Sequence, residues 1–202
     1  VLEPLPDPQC FRIRNFTKKN WRNFMIKKFV LGLLTFSVLS VPFAPASENL
    51  FQFQAPDIDG EKISLRQFEG QVVLVVNTAS KCGYTYQYEG LEKVYRQFKD
   101  RGFVVLGFPS DDFWQEYNSN EEIKEFCEGY QISFPLFAEG PVRGSDKHEV
   151  FRFLTEQSGM DGEIRWNFEK FLLDRDGNLV RRYRSGQDPD EDPLLSQIEN
   201  LL

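Results

Sequence analysis

The sequence predicts one α/β domain over residues 47–202, with a central mixed sheet flanked by helices. Three observations carry that expectation. Two β-branched apolar runs, Gln71-Val-Val-Leu-Val-Val-Asn77 and Phe103 to Phe108, have the continuous hydrophobicity of strands buried on both faces. Between and after them, apolar residues recur at helical spacing: Leu91, Val94, Tyr95 and Phe98, then Ile123, Phe126, Cys127 and Tyr130. Near the end, Asp176-Gly177 separates two short strand-like segments, the mark of a hairpin.

Each element follows in order. Phe51 to Gln54 and Lys62 to Ser64 flank Asp59-Gly60 and read as a first hairpin. The strand 71–77, the helix carrying Leu91 to Phe98 and the strand 103–108, stopped by Pro109, form a β-α-β unit. A helix around Ile123 to Tyr130 comes next, then a short one at Val150, Phe151 and Leu154. Phe168 to Asp174 and Leu179 to Tyr183 make the second hairpin, and Leu194, Leu195, Ile198, Leu201 and Leu202 close the chain as an amphipathic helix. This order is that of a thioredoxin-like sandwich. Twenty phenylalanines give it an aromatic core, and no repeat or second domain interrupts it.

The charge is divided along the chain. Residues 1–46 carry seven Lys/Arg against two Asp/Glu, whereas residues 47–202 have a net charge of −12. An acidic globular part argues against a nucleic-acid partner, whose phosphates reward basic surfaces. From Met25 the chain reads as a secretory signal peptide over residues 25–46. Lys27 and Lys28 precede the apolar run Phe29 to Phe43, and Ala44-Pro45-Ala46 fits a small-x-small cleavage site. The run is short for a permanent span, which needs about 20 apolar residues. Residues 1–24, proline-rich and starting at Val1, read as an upstream leader outside the mature protein. The expected location is therefore exported, periplasmic or extracellular.

Cys82 and Cys127 remain in the exported part, as a structural disulfide or as a reactive pair. Cys82 lies in Asn77-Thr-Ala-Ser-Lys-Cys-Gly-Tyr-Thr85, between a buried strand and a helix. Unpaired N–H groups and the dipole of a helix N-terminus favour the thiolate, the nucleophilic form, and Lys81 adds a neighbouring cation. Trp166-Asn167 stands just before the strand 168–174, where loops at strand ends build sites. Its indole N–H and amide are donors suited to a thiolate or a peroxide. Cys127 shares a helix face with Ile123, Phe126 and Tyr130, so burial is expected. His148 is the only histidine, and no Cys/His/carboxylate cluster has metal spacing, so neither metal nor cofactor is expected.

Three segments carry a family resemblance. Asn77 to Thr85 with Gln87-Tyr-Glu-Gly-Leu91, then Leu106-Gly-Phe-Pro109, then Trp166-Asn-Phe-Glu-Lys-Phe-Leu172 resemble, in order, the motifs of the glutathione peroxidases over about residues 50–202. The resemblance implies a thioredoxin fold and reduction of hydrogen peroxide and organic or lipid hydroperoxides. It places the catalytic tetrad on Cys82, Gln115, Trp166 and Asn167. Ser110-Asp-Asp-Phe-Trp-Gln-Glu-Tyr117 reaches the Gln-Glu pair with one residue deleted, and Trp114 stands in a region where glycine is usual. Cys127 matches the resolving cysteine of the thioredoxin-dependent members, and the short loops 137–149 and 159–165 resemble their monomeric branch. The implied partners are a peroxide and a reductant, thioredoxin-like or glutathione.

Two further readings stand beside this one. An exported thiol-disulfide oxidoreductase would share the fold, but residues 82–85 read Cys-Gly-Tyr-Thr and lack the second cysteine of Cys-x-x-Cys. A non-catalytic thioredoxin-fold binding module would account for the altered segment 110–118.

Overall fold

The computed structural model describes residues 48–156 and 160–202. The leader and signal peptide expected over 1–46 lie outside the described residues.

A four-stranded mixed sheet forms the centre, its strands starting at Phe103, Val72, Lys170 and Leu179 lying side by side in that order. β3 (Val72–Thr78) and β4 (Phe103–Pro109) run parallel, joined through helix α1 (Gln87–Phe98). β5 (Lys170–Leu173) lies antiparallel to β3 on its other side, and β6 (Leu179–Tyr183) completes the hairpin. β3, β4 and β5 are buried throughout, as continuous apolar runs require. Outside this sheet, β1 (Gln54–Pro56) pairs with β2 (Lys62–Ser64). The first strand is shorter than expected: Leu50–Gln52 form a 3-10 turn because the Asn49 side chain caps Phe51 N–H at 3.2 Å.

Alternation along the strands divides the core into two layers. Val73, Val75, Leu106, Phe108 and Phe171 face helix α3 (Glu149–Thr155) through Val150, Phe151 and Leu154. There Phe108 stacks on Phe137 at 4.2 Å and meets Phe151 edge-on at 5.4 Å. Val72, Leu74, Val76, Val105 and Leu172 pack on the other side. They meet α1, α2 (Asn120–Gly129) and α4 (Leu194–Leu201) through Leu91, Val94, Ile123 and Ile198. The second layer also holds Cys82 and Cys127.

Candidate active site

The site begins where the buried sheet ends. Asn77, next to last in β3, is a fully buried amide in an otherwise apolar run. Its polar atoms are spent on the segment that leads into β5. The Asn77 carbonyl accepts Phe168 N–H at 2.7 Å, its Oδ1 accepts Glu169 N–H at 2.9 Å, and its Nδ2 donates to the Trp166 carbonyl at 3.1 Å. Phe168 has a left-handed backbone (φ 63°), which a bulky residue adopts only where its surroundings dictate it. These bonds supply that constraint and fix Trp166-Asn167 at the end of the sheet.

After β3 the chain makes consecutive turns through residues 80–86, and α1 starts only at Gln87. The expected position of Cys82 at the helix head is thereby corrected: it lies five residues before the first helical residue. Polar bonding inside the turns shapes the loop first. Thr85 Oγ1 accepts Cys82 N–H at 3.0 Å and donates to the Ala79 carbonyl at 3.0 Å. Cys82 Sγ accepts Tyr84 N–H at 3.4 Å. The sulfur is therefore served by a turn amide, with the cysteine 8% exposed. Lys81 extends to the Glu116 carbonyl at 3.1 Å and lies over the Tyr117 ring.

The loop 110–119 is sewn to this turn. Lys81 N–H donates to the Gln115 carbonyl at 2.8 Å. Glu116 is buried, and its Oε1 accepts Ser80 N–H at 3.1 Å and Tyr117 N–H at 2.9 Å. Burial pushes the Glu116 carboxyl above its ordinary pKa, while those donors pull it back. With the backbone pinned, the Gln115 side chain reaches Asn167: Asn167 Nδ2 donates to Gln115 Oε1 at 3.0 Å. The one-residue deletion thus leaves Gln115 joined to the Trp-Asn motif. Trp114, in the left-handed region at φ 57°, turns the shortened loop.

Trp166 is partly exposed and packs on Phe113, centroid to centroid 5.1 Å. Neither Trp166 nor Asn167 donates to Cys82 Sγ among the described residues; the Asn167 amide goes to Gln115 instead. Asn167 Oδ1 is buried without a hydrogen-bond partner.

Cys127 is 1% exposed on α2, and neither it nor Cys82 is in a disulfide. Burial, with the Glu116 carboxylate adding to it, pushes the Cys127 thiol up to about 11, against the pull of the Tyr88 hydroxyl. Tyr88, in the first turn of α1, links the two regions: its ring meets Phe168 at 5.4 Å and Tyr130 at 5.7 Å.

Three site residues escaped sequence reasoning. Asn77 was visible only as a polar end to an apolar strand, and Glu116 only as the neighbour of Gln115. Lys170 is a fully buried lysine in β5. Its ammonium donates to Gln87 Oε1, to the Phe168 carbonyl at 3.0 Å and to the Gln187 carbonyl at 2.6 Å. It so ties the Trp-Asn turn to the start of α1.

Comparison with known proteins shows the family. A family model for glutathione peroxidase matches residues 50–155. The hydroperoxy fatty acid reductase gpx1 of Synechocystis sp. is 47% identical over 169 residues, 79% of this chain and 99% of that protein. The glutathione peroxidase-like peroxiredoxin gpx1 of Schizosaccharomyces pombe is 44% identical, over 76% of this chain and 99% of that protein. Among solved structures, Trgpx in apo form is 37% identical with a TM-score of 0.61, over 76% of this chain and 97% of that one. T. cruzi GPX1 is 30% identical with a TM-score of 0.60, over 76% and 96%. With this fold, these relatives and a matching model across half its length, the chain belongs to the glutathione peroxidase family.

Proposed function

We propose that the chain is a thiol peroxidase that reduces hydrogen peroxide and organic or lipid hydroperoxides through Cys82. The observation that carries this reading is the Asn167–Gln115 hydrogen bond. It joins two distant motifs beside a loop whose Lys81 N–H already holds the Gln115 carbonyl. Side-chain amides and an indole carried by the segments that adjoin the Cys82 loop suit polarisation of an O–O bond.

In the first step the Cys82 thiolate attacks one peroxide oxygen. The S–O bond forms as the O–O bond breaks, and the departing alkoxide or hydroxide takes a proton and leaves as an alcohol or water. Sulfur is oxidised to the sulfenic acid and the peroxide is reduced. The unpaired Asn167 Oδ1 is an acceptor for a peroxide O–H, and the Trp166 indole N–H is a donor for the departing oxygen. Cys127 then attacks the Cys82 sulfenic acid, releasing water and forming a disulfide. A dithiol such as thioredoxin reduces that disulfide by exchange. In this reading α2 opens locally for the Cys127 step, because the thiol is buried.

We also infer export, from the signal-like segment 25–46, and a monomeric state, from the short loops before the Trp-Asn motif. Peroxide consumption by the protein with thioredoxin, its reductase and NADPH tests the activity. Turnover is expected. Disulfide exchange without peroxide turnover would favour an oxidoreductase, and neither activity would favour a binding module.

A further inference from the structure

A buried cation stands close behind the Trp-Asn motif, and the reaction proposed above makes no use of it. Lys170 opens β5, three residues after Asn167, and is fully buried. Its head group faces four oxygen acceptors drawn from three segments. These are the Phe168 carbonyl at 3.0 Å, Gln87 Oε1 at the start of α1, and the carbonyls of Ser185 at 3.4 Å and Gln187 at 2.6 Å in the loop after β6. The Gln87 amide is fixed in that orientation, since its Nε2 donates to the Ser185 carbonyl at 2.7 Å.

All four partners accept and none donates. An ammonium brings three N–H donors and no lone pair, which suits such a cage. A neutral amine brings two donors and turns a lone pair on an oxygen, so loss of the proton leaves buried acceptors unserved. The bond to Phe168 is the one that reaches the site. Phe168 is the left-handed residue (φ 63°) directly after Asn167, and Asn167 Nδ2 is bonded to Gln115 Oε1. Asn77 grips this turn through the Phe168 N–H, and Lys170 grips it through the Phe168 carbonyl.

The groups around the head group bring its protonation within reach of ordinary pH. Glu169, its neighbour in the chain, is paired with Arg182 and Arg184, and Asp188 accepts the Tyr86 hydroxyl at 2.9 Å. Gln87 on α1 is uncharged, and burial raises the hydroxyl pKa of Tyr183, opposite Lys170 on β6. Burial outweighs the pull of Asp188 and Glu169 and brings the ammonium down to about 7.

We propose that Lys170 is a positioning residue for the peroxide step: its protonated head group draws the Trp166-Asn167 turn onto the start of α1, and the turn slackens when the proton leaves. The proposal rests on the peroxidase reading above and adds to it a protonation state outside the reacting thiol.

Rate constants for hydrogen peroxide from pH 6 to 9, measured on the full chain and on Lys170→Met and Lys170→Arg, test this. Dividing each variant's rate constant by that of the unsubstituted protein at the same pH removes the ionisation of Cys82, which all three share. Lys170→Met mimics the neutral state, and should be about tenfold slower at pH 6 and level with the unsubstituted protein at pH 9. Lys170→Arg stays charged, and should gain on the unsubstituted protein by about the same factor over that range. If one variant fails to fold, the other decides. A ratio independent of pH in either folded variant would overturn the proposal and leave Lys170 a packing residue. Inactivity of the unsubstituted protein toward hydrogen peroxide at every pH would instead sink the peroxidase reading itself.

Discussion

Phe168 donates its N–H to the Asn77 carbonyl at 2.7 Å, and this bond locks a left-handed residue directly after Asn167. The Asn77 side chain completes the clamp on the Trp166 carbonyl and the Glu169 N–H. The last residues of β3 thus decide where the Trp-Asn motif stands.

Asn77→Ala removes both side-chain bonds and leaves a buried carbonyl and N–H unpaired. It should destabilise the fold by about 3 kcal/mol. Urea unfolding checks that value. The peroxide rate constant should fall by more than about tenfold, because the motif loses its register with Cys82.

Gln115→Ala and Asn167→Ala each break the bond that joins the two motifs. Each should lower the peroxide rate constant by about a hundredfold with the fold retained, and the double variant should lose little more than either single one. Stopped-flow kinetics and a double-mutant cycle decide this. Additive losses would mean that the two amides act separately.

Cys127 is buried and its thiol is pushed up to about 11. Iodoacetamide at neutral pH should therefore label Cys82 before Cys127, with Cys127 reacting only when α2 opens or the chain unfolds. Cys127→Ser should lose thioredoxin-supported turnover but still oxidise once at Cys82.

Lys170 gives a pH signature. Burial pushes its ammonium down to about 7, against the charges of Asp188 and Glu169. The folded pKa lies below the unfolded value of about 10.4, so above pH 7 the unfolded chain binds a proton that the fold does not. This group's contribution to stability should rise with pH from about 7 upward. Urea midpoints at pH 6 to 9 should show the rise, and Lys170→Met should lack it. Above pH 9 Cys127 pulls the other way: its raised pKa stabilises the fold below the unfolded pKa, and that stabilisation fades by about 11.

Much of the fold was legible because β3 and β4 are buried on both faces, which leaves no alternation to misread. The placement of Cys82 and of Trp166-Asn167 at strand ends was legible, while their tetrad roles were implied only by the family resemblance. The setting of Cys82 five residues before α1 was not legible, since the Thr85 bonds that sustain extra turns before the helix depend on three-dimensional closure. Gln115 illustrates the same limit. A deletion in the sequence carries no record of the left-handed Trp114 that absorbs it, nor of the Glu116 carboxylate that pins the loop beneath Ser80. Buried polar clamps such as Asn77 and Lys170 look, in sequence, like ordinary polar residues within a strand.

In the proposed reaction Cys82 Sγ is the atom that meets peroxide. Cys127→Ser treated with one equivalent of hydrogen peroxide, trapped with dimedone and mapped by mass spectrometry, tests it most directly. One adduct per chain is expected, on Cys82. Peroxide consumed with no adduct on Cys82, or with the adduct on Cys10, would contradict it.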